Sequence, residues 1–128
     1  MDRYTAALSG PLLDRIDLTV HVAPVSPVEL GSGGGEASEP VRARVLTARA
    51  HQAARGGVLN AELRGHQVTL AAQPTDRAVA MLRRASERLG LSARSHHRVL
   101  AVARTIADLE GHPAVDARHL AEALQFRA

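Results

Sequence analysis

The stretch LSARSHHRVLAVARTIADLEG, residues 91–111, carries the strongest helical pattern in the chain. Its apolar residues recur at three- and four-residue spacing and therefore share one face of an α-helix; they are Val99, Val102, Ala103, Ile106 and Leu109. Ser92 is a favourable N-cap and Gly111 a favourable stop. The pattern predicts a helix over about 93–110 whose apolar face is covered by other helices.

Two arginines lie on the other side of this helix. Arg94 falls in its first turn, and Arg98 follows at i+4, so the two side chains project together. Like charges at this spacing repel, and a cation in the first turn opposes the helix dipole. A bound anion would remove both penalties. A solvated basic face is the alternative interpretation.

Shorter helical segments flank the long helix within residues 40–127. Their connections are short, which favours antiparallel or oblique packing in a four-helix unit. Residues 59–63 suit a single helical turn, and residues 68–74 are ambiguous between strand and loop. The caps and glycines predict helices from Pro40 to Gly56–Gly57, from Thr75 or Asp76 to Gly90, and onward from Asp116.

The N-terminal part has a different pattern. In LSGPLLDRIDLTVHV, residues 8–22, Leu18, Val20 and Val22 alternate with polar residues, which predicts a strand over 18–23 with one buried face. Arg15 stands at its entrance, between Asp14 and Asp17. A lone strand is not stable by itself, so this one needs a sheet that the rest of the sequence does not obviously supply.

A linker separates the two parts. Residues 26–39 contain GSGGG, which has no side chains to pack and predicts a flexible segment. We therefore expect a mostly α fold, a small helical bundle over 40–128, preceded by one short strand within 1–25.

Composition limits the function classes. The chain has 128 residues, enough for one domain, and 45% of them are hydrophobic. All 16 basic residues are Arg, which raises the pI to about 10.9 although the net charge is only +3. An Arg-only, Ala-rich composition reflects a GC-rich genome as readily as a nucleic-acid-binding surface. No apolar run of about 18 residues, no signal peptide and no cysteine are present, so we expect a cytoplasmic protein without membrane contact.

Several catalytic motifs are excluded or unsupported. A P-loop requires a lysine that reaches the nucleotide phosphates, and this chain contains none. The seven histidines lack metal-ligand spacing, so we predict no metal site and interpret them as surface or helix-end residues. No GxSxG nucleophile elbow occurs.

Two long segments of the chain resemble a known family. RYTAALSGPLLDRIDLTVHVAPVSPVEL, residues 3–30, and LGLSARSHHRVLAVARTIADLEG, residues 89–111, are similar to the C-terminal portion of magnesium-chelatase-like AAA+ ATPases. The DRID and RTIADLEG motifs look more like the competence-associated ComM/YifB-type group than like chelatase subunits. The resemblance implies an ATPase core, with its P-loop, that precedes this sequence in the parent. Residues 1–25 would then be a remnant of that α/β core, and residues 40–128 its α-helical lid.

The resemblance also implies roles for three arginines. Arg15 matches an arginine finger, which acts in trans on ATP bound to a neighbouring subunit, with Asp14 and Asp17 orienting it when no phosphate is present. Arg94 matches the sensor-2 position, acting either in cis or in trans, and Arg98 is a further candidate phosphate contact. A finger stabilises charge that develops during phosphoryl transfer, which fits an Arg held at a rigid corner.

Cofactors and partners follow from the same resemblance. The parent would use ATP and Mg²⁺ and assemble into a homo-oligomeric ring, expected to be a hexamer, that remodels DNA in branch migration. The alternatives are a fragment of a magnesium-chelatase ATPase subunit and a stand-alone helical module that binds DNA or protein.

We predict that the isolated 128-residue chain neither hydrolyses ATP nor binds it tightly, because it has no lysine with which to build a P-loop. Phosphate release by the purified chain measures this directly. Turnover that a point substitution within the chain abolishes would contradict the prediction.

Overall fold

Seven α-helices and one 3₁₀ turn make up the regular structure of residues 9–127, the part of the chain that the computed structural model describes. No strand occurs in these residues, and the predicted mostly α helical bundle is confirmed. In chain order the elements are α1 Gly10–Leu13, α2 Pro27–Gly31, α3 Ser38–Gly56, the 3₁₀ turn Asn60–Glu62, α4 His66–Ala72, α5 Asp76–Leu89, α6 Ala93–Leu109 and α7 Ala117–Gln125.

Helix α6 is the centre of the bundle. It packs against α3, α4, α7 and the 3₁₀ turn, while α5 packs on α7. Ser92 caps it as predicted, since its Oγ accepts a hydrogen bond from the Ser95 N–H at 3.1 Å. Most of the predicted apolar face is buried, but Leu109 is 45% exposed because it lies in the last turn, where the helix leaves the core.

Small side chains allow the helices to approach closely. Four alanines are completely buried, two of them on α6. Where these alanines pack, the backbones of neighbouring helices lie close together and little void volume remains. The core cluster consists of Val68, Ala72, Ala78, Leu82, Val99, Leu100, Ala103, Ile106, Ala107, Val115, Leu120 and Ala123.

A buried ion pair lies at the C-terminal half of α6. Arg104 and Asp108, both 1% exposed, are one turn apart, and Arg104 Nε donates to Asp108 Oδ1 at 3.0 Å. The remaining Arg104 donors bond backbone carbonyl oxygens in the connections around α6, those of Ala72, His112 and Pro113. One side chain therefore joins the end of α4 to the α6–α7 connection.

Asp108 extends the network to the other side of α6. Arg55 of α3 contacts both of its carboxylate oxygens at 2.8 Å, and Asn60 Nδ2 donates to Oδ2 at 2.9 Å. Burial opposes ionisation of Asp108, but the hydrogen bonds from Arg55 and Asn60 and the charge of Arg104 outweigh it, so its pKa lies below the ordinary value. The carboxylate is thus charged near neutral pH and ties α3 and the 3₁₀ turn to α6.

The connections between helices follow the predicted caps in most places. Thr75 caps α5, Asp116 caps α7, and Gly90 ends α5 in the left-handed conformation. Residues 68–74, which the sequence left open between strand and loop, lie mainly in helix α4. The bundle over residues 38–127 therefore has one α-helix more than the four-helix unit that the sequence predicted.

The predicted strand over residues 18–23 is absent, and this prediction is wrong. Leu18, Val20 and Val22 are between 50% and 74% exposed, so no face of the segment is buried. A strand requires a hydrogen-bonding neighbour. The segment instead makes one backbone bond, from the Thr19 N–H to the Phe126 carbonyl at 2.7 Å.

The linker and the start of α3 also differ from expectation. Ser26 and Glu29 form a capping box that begins α2 inside the predicted linker. Helix α3 begins at Ser38, inside the predicted linker, rather than at Pro40. Whether residues 26–39 are flexible stays a prediction, and residues 1–8 of the predicted core remnant lie outside the described part.

Among the described residues, no helix combines the length and apolar character needed to cross a bilayer.

We predict that Asp108→Ala destabilises the chain by about 3–5 kcal/mol, because it leaves the Arg104 guanidinium buried without its counterion. Urea unfolding followed by circular dichroism measures the loss. Glu122→Ala, which removes an exposed carboxylate from α7, is the control and should change the free energy of unfolding by less than about 0.5 kcal/mol. A loss below about 1 kcal/mol for Asp108→Ala would show that the network contributes little.

Candidate functional site

An open groove of about 690 Å³ lies between the DRID corner, defined as residues 14–17, the start of α4 and the N-terminal half of α6. Its lining is strongly basic. Among the described residues, its lining contains one carboxylate, Asp17, against four arginines and one histidine, which are Arg15, Arg64, Arg94, Arg98 and His97. The groove thus brings together all three arginines that the sequence singled out.

Arg15 reaches the groove from the turn that ends α1. Ser9 caps this short helix, and the Arg15 N–H donates to the Leu12 carbonyl at 3.0 Å, which fixes the turn. The Arg15 side chain is exposed. The local sequence therefore builds a hydrogen-bonded corner that places a solvent-accessible guanidinium at the groove.

The two acids of the DRID corner bind to α6. Asp14 accepts a hydrogen bond from the Ser95 hydroxyl at 3.3 Å, and Asp17 forms an ion pair with Arg98. The sequence predicted that these acids would orient Arg15. The structure instead shows them attaching the corner to the first two turns of α6, which positions Arg15 indirectly.

Arg94 and Arg98 occupy the predicted face of α6 but differ in surroundings. Arg94 is exposed in the first turn, whereas the Arg98 side chain is 32% exposed. The Nε of Arg98 is buried and has no hydrogen-bond partner among residues 9–127. Arg94 is therefore open to solvent, and Arg98 is already engaged by Asp17.

Two groove residues were missed by the sequence argument. Arg64 precedes α4, and its Nη1 donates to the carbonyls of Ala61 and Leu63 at 2.9 and 3.1 Å. No local pattern marks it, because tertiary packing alone brings it to α6. His97 follows Arg94 at i+3 and could have been found from helical spacing.

His96 and His97 lie next to each other but have different environments. His97 lines the groove, while His96 Nδ1 lies 3.1 Å from the Ser86 hydroxyl of α5. Burial and the nearby His97 lower the pKa of His96 below the ordinary value of about 6.5. His96 is consequently neutral near pH 7 and does not add to the charge of the groove.

The chemistry of the lining favours anions with several oxygen atoms. Guanidinium groups present planar arrays of N–H donors that match carboxylate and phosphate oxygens. Within the described part of the chain, no three side chains of the types that ligate metals come together. The groove can therefore bind phosphate groups, but its own residues do not form a metal centre.

The fold and the groove define a small helical domain with an arginine-lined groove. The chain belongs to the magnesium chelatase, subunit ChlI C-terminal family, whose profile matches residues 35–127. The family resemblance predicted from the sequence is thereby confirmed.

Relatives extend the similarity over the N-terminal segment as well. The chain is 43% identical over 128 residues to competence protein ComM of Haemophilus influenzae, and 39% and 38% identical over 129 residues to the YifB proteins of Salmonella typhimurium and Escherichia coli. Each similarity covers 98% of this chain and 25% of the relative. The chain therefore spans about a quarter of the length of these proteins and corresponds to the C-terminal part of ComM/YifB-type proteins.

We predict that His96 titrates below about 6.5 and that His97→Gln raises its pKa, because the variant removes a neighbouring positive charge while burial of His96 remains. Nitrogen-15 NMR of the two imidazole rings between pH 4 and 8 measures this. An unchanged pKa of His96 in His97→Gln would show that burial alone causes the shift.

Proposed function

We propose that this chain is the lid and arginine-finger segment of an oligomeric AAA+ ATPase, and that the basic groove contacts the phosphates of ATP. The parent would act as a cytoplasmic motor that remodels DNA. The observation that carries the proposal is that Arg15 lies in one groove with Arg94 and Arg98, which are far from it in the sequence, in a domain from a chelatase-type family.

The charge distribution supports a phosphate ligand. A triphosphate carries several negative charges, and the described part of the groove lining offers four guanidinium groups against one carboxylate. Arg15 and Arg94 are exposed, so both can reach a ligand without breaking a buried contact. A transition state of phosphoryl transfer, in which charge spreads over the phosphoryl oxygens, is the species such an array stabilises best.

The chain supplies only part of such a site. Mg²⁺ prefers carboxylates and phosphate oxygens, and no cluster of metal-ligating side chains occurs in residues 9–127. We therefore assign Mg²⁺ and the P-loop to residues outside this chain, and assign to its arginines the binding and orientation of phosphate oxygens.

The position of Arg94 in the same groove as Arg15 is relevant to whether Arg94 acts in cis or in trans. An arginine finger can be supplied in cis or in trans, and the resemblance implies that Arg15 acts in trans on the nucleotide of the neighbouring subunit. Because Arg94 lines the same groove as Arg15, we propose that both contact that same nucleotide. This arrangement makes the groove one side of a subunit interface and accounts for the proposed homo-oligomeric ring, for which we propose six subunits.

Similarity to a competence protein favours DNA as the substrate of the parent over metal insertion. The groove itself does not discriminate between these motors, since both would use it for ATP. Stimulation of ATP hydrolysis by branched DNA in the full-length protein is the discriminating measurement. A stand-alone binding module is disfavoured, because the matching segment of each relative is part of a protein about four times as long.

We predict that Arg15→Ala in the full-length protein lowers the rate of ATP hydrolysis by about 10³–10⁵-fold and leaves ATP binding within a few-fold of wild type. The reason is that a finger acts mainly on charge that develops in the transition state, while the P-loop provides most of the binding. Arg49→Ala, which removes an exposed arginine of α3 outside the groove, should have nearly wild-type activity.

Mixing subunits tests the action in trans. An Arg15→Ala subunit combined with a P-loop-deficient subunit should regain partial activity, because some interfaces then pair an intact P-loop with an intact Arg15. Hydrolysis by Arg15→Ala alone within a few-fold of wild type would refute the finger assignment.

A further inference from the structure

We infer that Asp17 is an internal competitor for the phosphate ligand: its carboxylate holds Arg98 when no phosphate is bound and is displaced when a polyphosphate binds. The inference rests on the proposed function, since it takes phosphate as the ligand of the groove. It assigns to Asp17 a role toward Arg98, which differs from the orientation of Arg15 that the resemblance implies.

The position of Asp17 suggests this role. Within residues 9–127 it is the only carboxylate in the groove lining, and it pairs with Arg98 of that same lining rather than with Arg15. A carboxylate in a basic groove weakens the binding of any anion there, both by repulsion and by occupying donors. Its presence therefore opposes ligand binding unless it can be exchanged for the ligand.

The pair has the properties of an exchangeable contact. The side chains of Arg98 and Asp17 are 32% and 51% exposed, and ion pairs at such positions are weak because solvent screens them. A phosphate group presents more charge and more acceptor oxygens than one carboxylate. A polyphosphate that also binds Arg15 and Arg94 would consequently outcompete Asp17 for Arg98.

Arg98 is also incompletely satisfied in the pair. Its buried Nε lacks a hydrogen-bond partner within the described residues, and a buried donor without a partner is destabilising. The Asp17-bound arrangement is thus a holding position for Arg98. Movement of the side chain toward a ligand can give this donor a partner.

Displacement of Asp17 would change how the DRID corner is held. The Asp17–Arg98 pair would be lost, whereas the Ser95–Asp14 hydrogen bond and the Arg127–Asp14 ion pair at 3.8 Å lie away from the groove lining and would remain. The bond from Thr19 to Phe126, just after the corner, would also remain. The DRID corner would stay attached to the domain, but the backbone next to Arg15 could move more. Ligand binding at α6 would therefore be linked to the position of the proposed finger.

Titration of the 128-residue chain with inorganic tripolyphosphate at low ionic strength tests the inference. Two-dimensional ¹H–¹⁵N NMR follows the backbone amides and the Nε–Hε signal of Arg98. Asp17→Asn should bind tripolyphosphate about three- to fivefold more tightly than wild type. In wild type, the Arg98 Nε–Hε signal should shift and saturate together with the amides of residues 93–98.

Glu36→Gln is the matched control. Glu36 also pairs with an arginine, Arg44, and its side chain is exposed to a similar extent at 48%, but neither residue lines the groove. The control therefore makes the same change in net charge elsewhere and should leave the affinity within about twofold of wild type. Equal affinity gains in Asp17→Asn and Glu36→Gln would overturn the inference.

A double-substitution cycle separates a direct effect from a structural one. If Asp17 acts by occupying Arg98, the gain from Asp17→Asn should be smaller in an Arg98→Gln background, where only the loss of repulsion remains, while unchanged amide signals for the α6 core show that the fold is intact. A gain of the same size without Arg98 would contradict the mechanism.

The two proposals can fail separately. Binding that Arg94→Ala weakens, but that Asp17→Asn does not strengthen, would refute the inference and leave the groove as a phosphate site. Absence of any Arg94-dependent binding would refute the assignment of the groove itself.

Discussion

The buried ion pair between Arg104 and Asp108 is the interaction on which the arrangement of the domain depends. Burying two charges is favourable only when nearly every donor and acceptor finds a partner. Here the partners come from α3, the 3₁₀ turn, the end of α4 and the α6–α7 connection. The hydrogen bonds that these two side chains require therefore fix the positions of several chain segments around α6 at once. The small aliphatic core alone would specify those positions less uniquely.

The same helix carries the groove at its other end. Residues 104–108 anchor the C-terminal half of α6, while Arg94, His97 and Arg98 lie in its first two turns. Because α6 is one continuous element, its orientation in the bundle also sets where these side chains meet Arg64 and the DRID corner. A rigid helix that is held firmly at one end and presents charged side chains at the other is suited to positioning groups that must meet a ligand precisely enough for catalysis.

Local signals predicted much of this structure. Ser92, Thr75 and Asp116 cap helices as expected, and Gly90 ends α5, since these effects depend only on a few adjacent residues. The prediction of a strand over residues 18–23 was wrong because an alternating pattern specifies a strand only when a neighbouring strand is present. The meeting of Arg15 with Arg94 and Arg98 could be anticipated only from a family resemblance. The position of Arg64 in the groove and the pairing of Asp17 with Arg98 could not be anticipated, because tertiary packing determines which side chains share a groove.

The hydrogen-bond partners of Arg104 determine which sequence changes around it the fold can tolerate. Its bonds to Ala72, His112 and Pro113 are all to backbone oxygens, so the side chains at these three positions are not what Arg104 recognises. Substitutions there can accumulate without loss of the bonds, provided that they suit the local packing. A single-residue insertion or deletion would instead shift the carbonyls away from the guanidinium. The length of these connections, more than their composition, is the property that selection on this fold can be expected to hold constant.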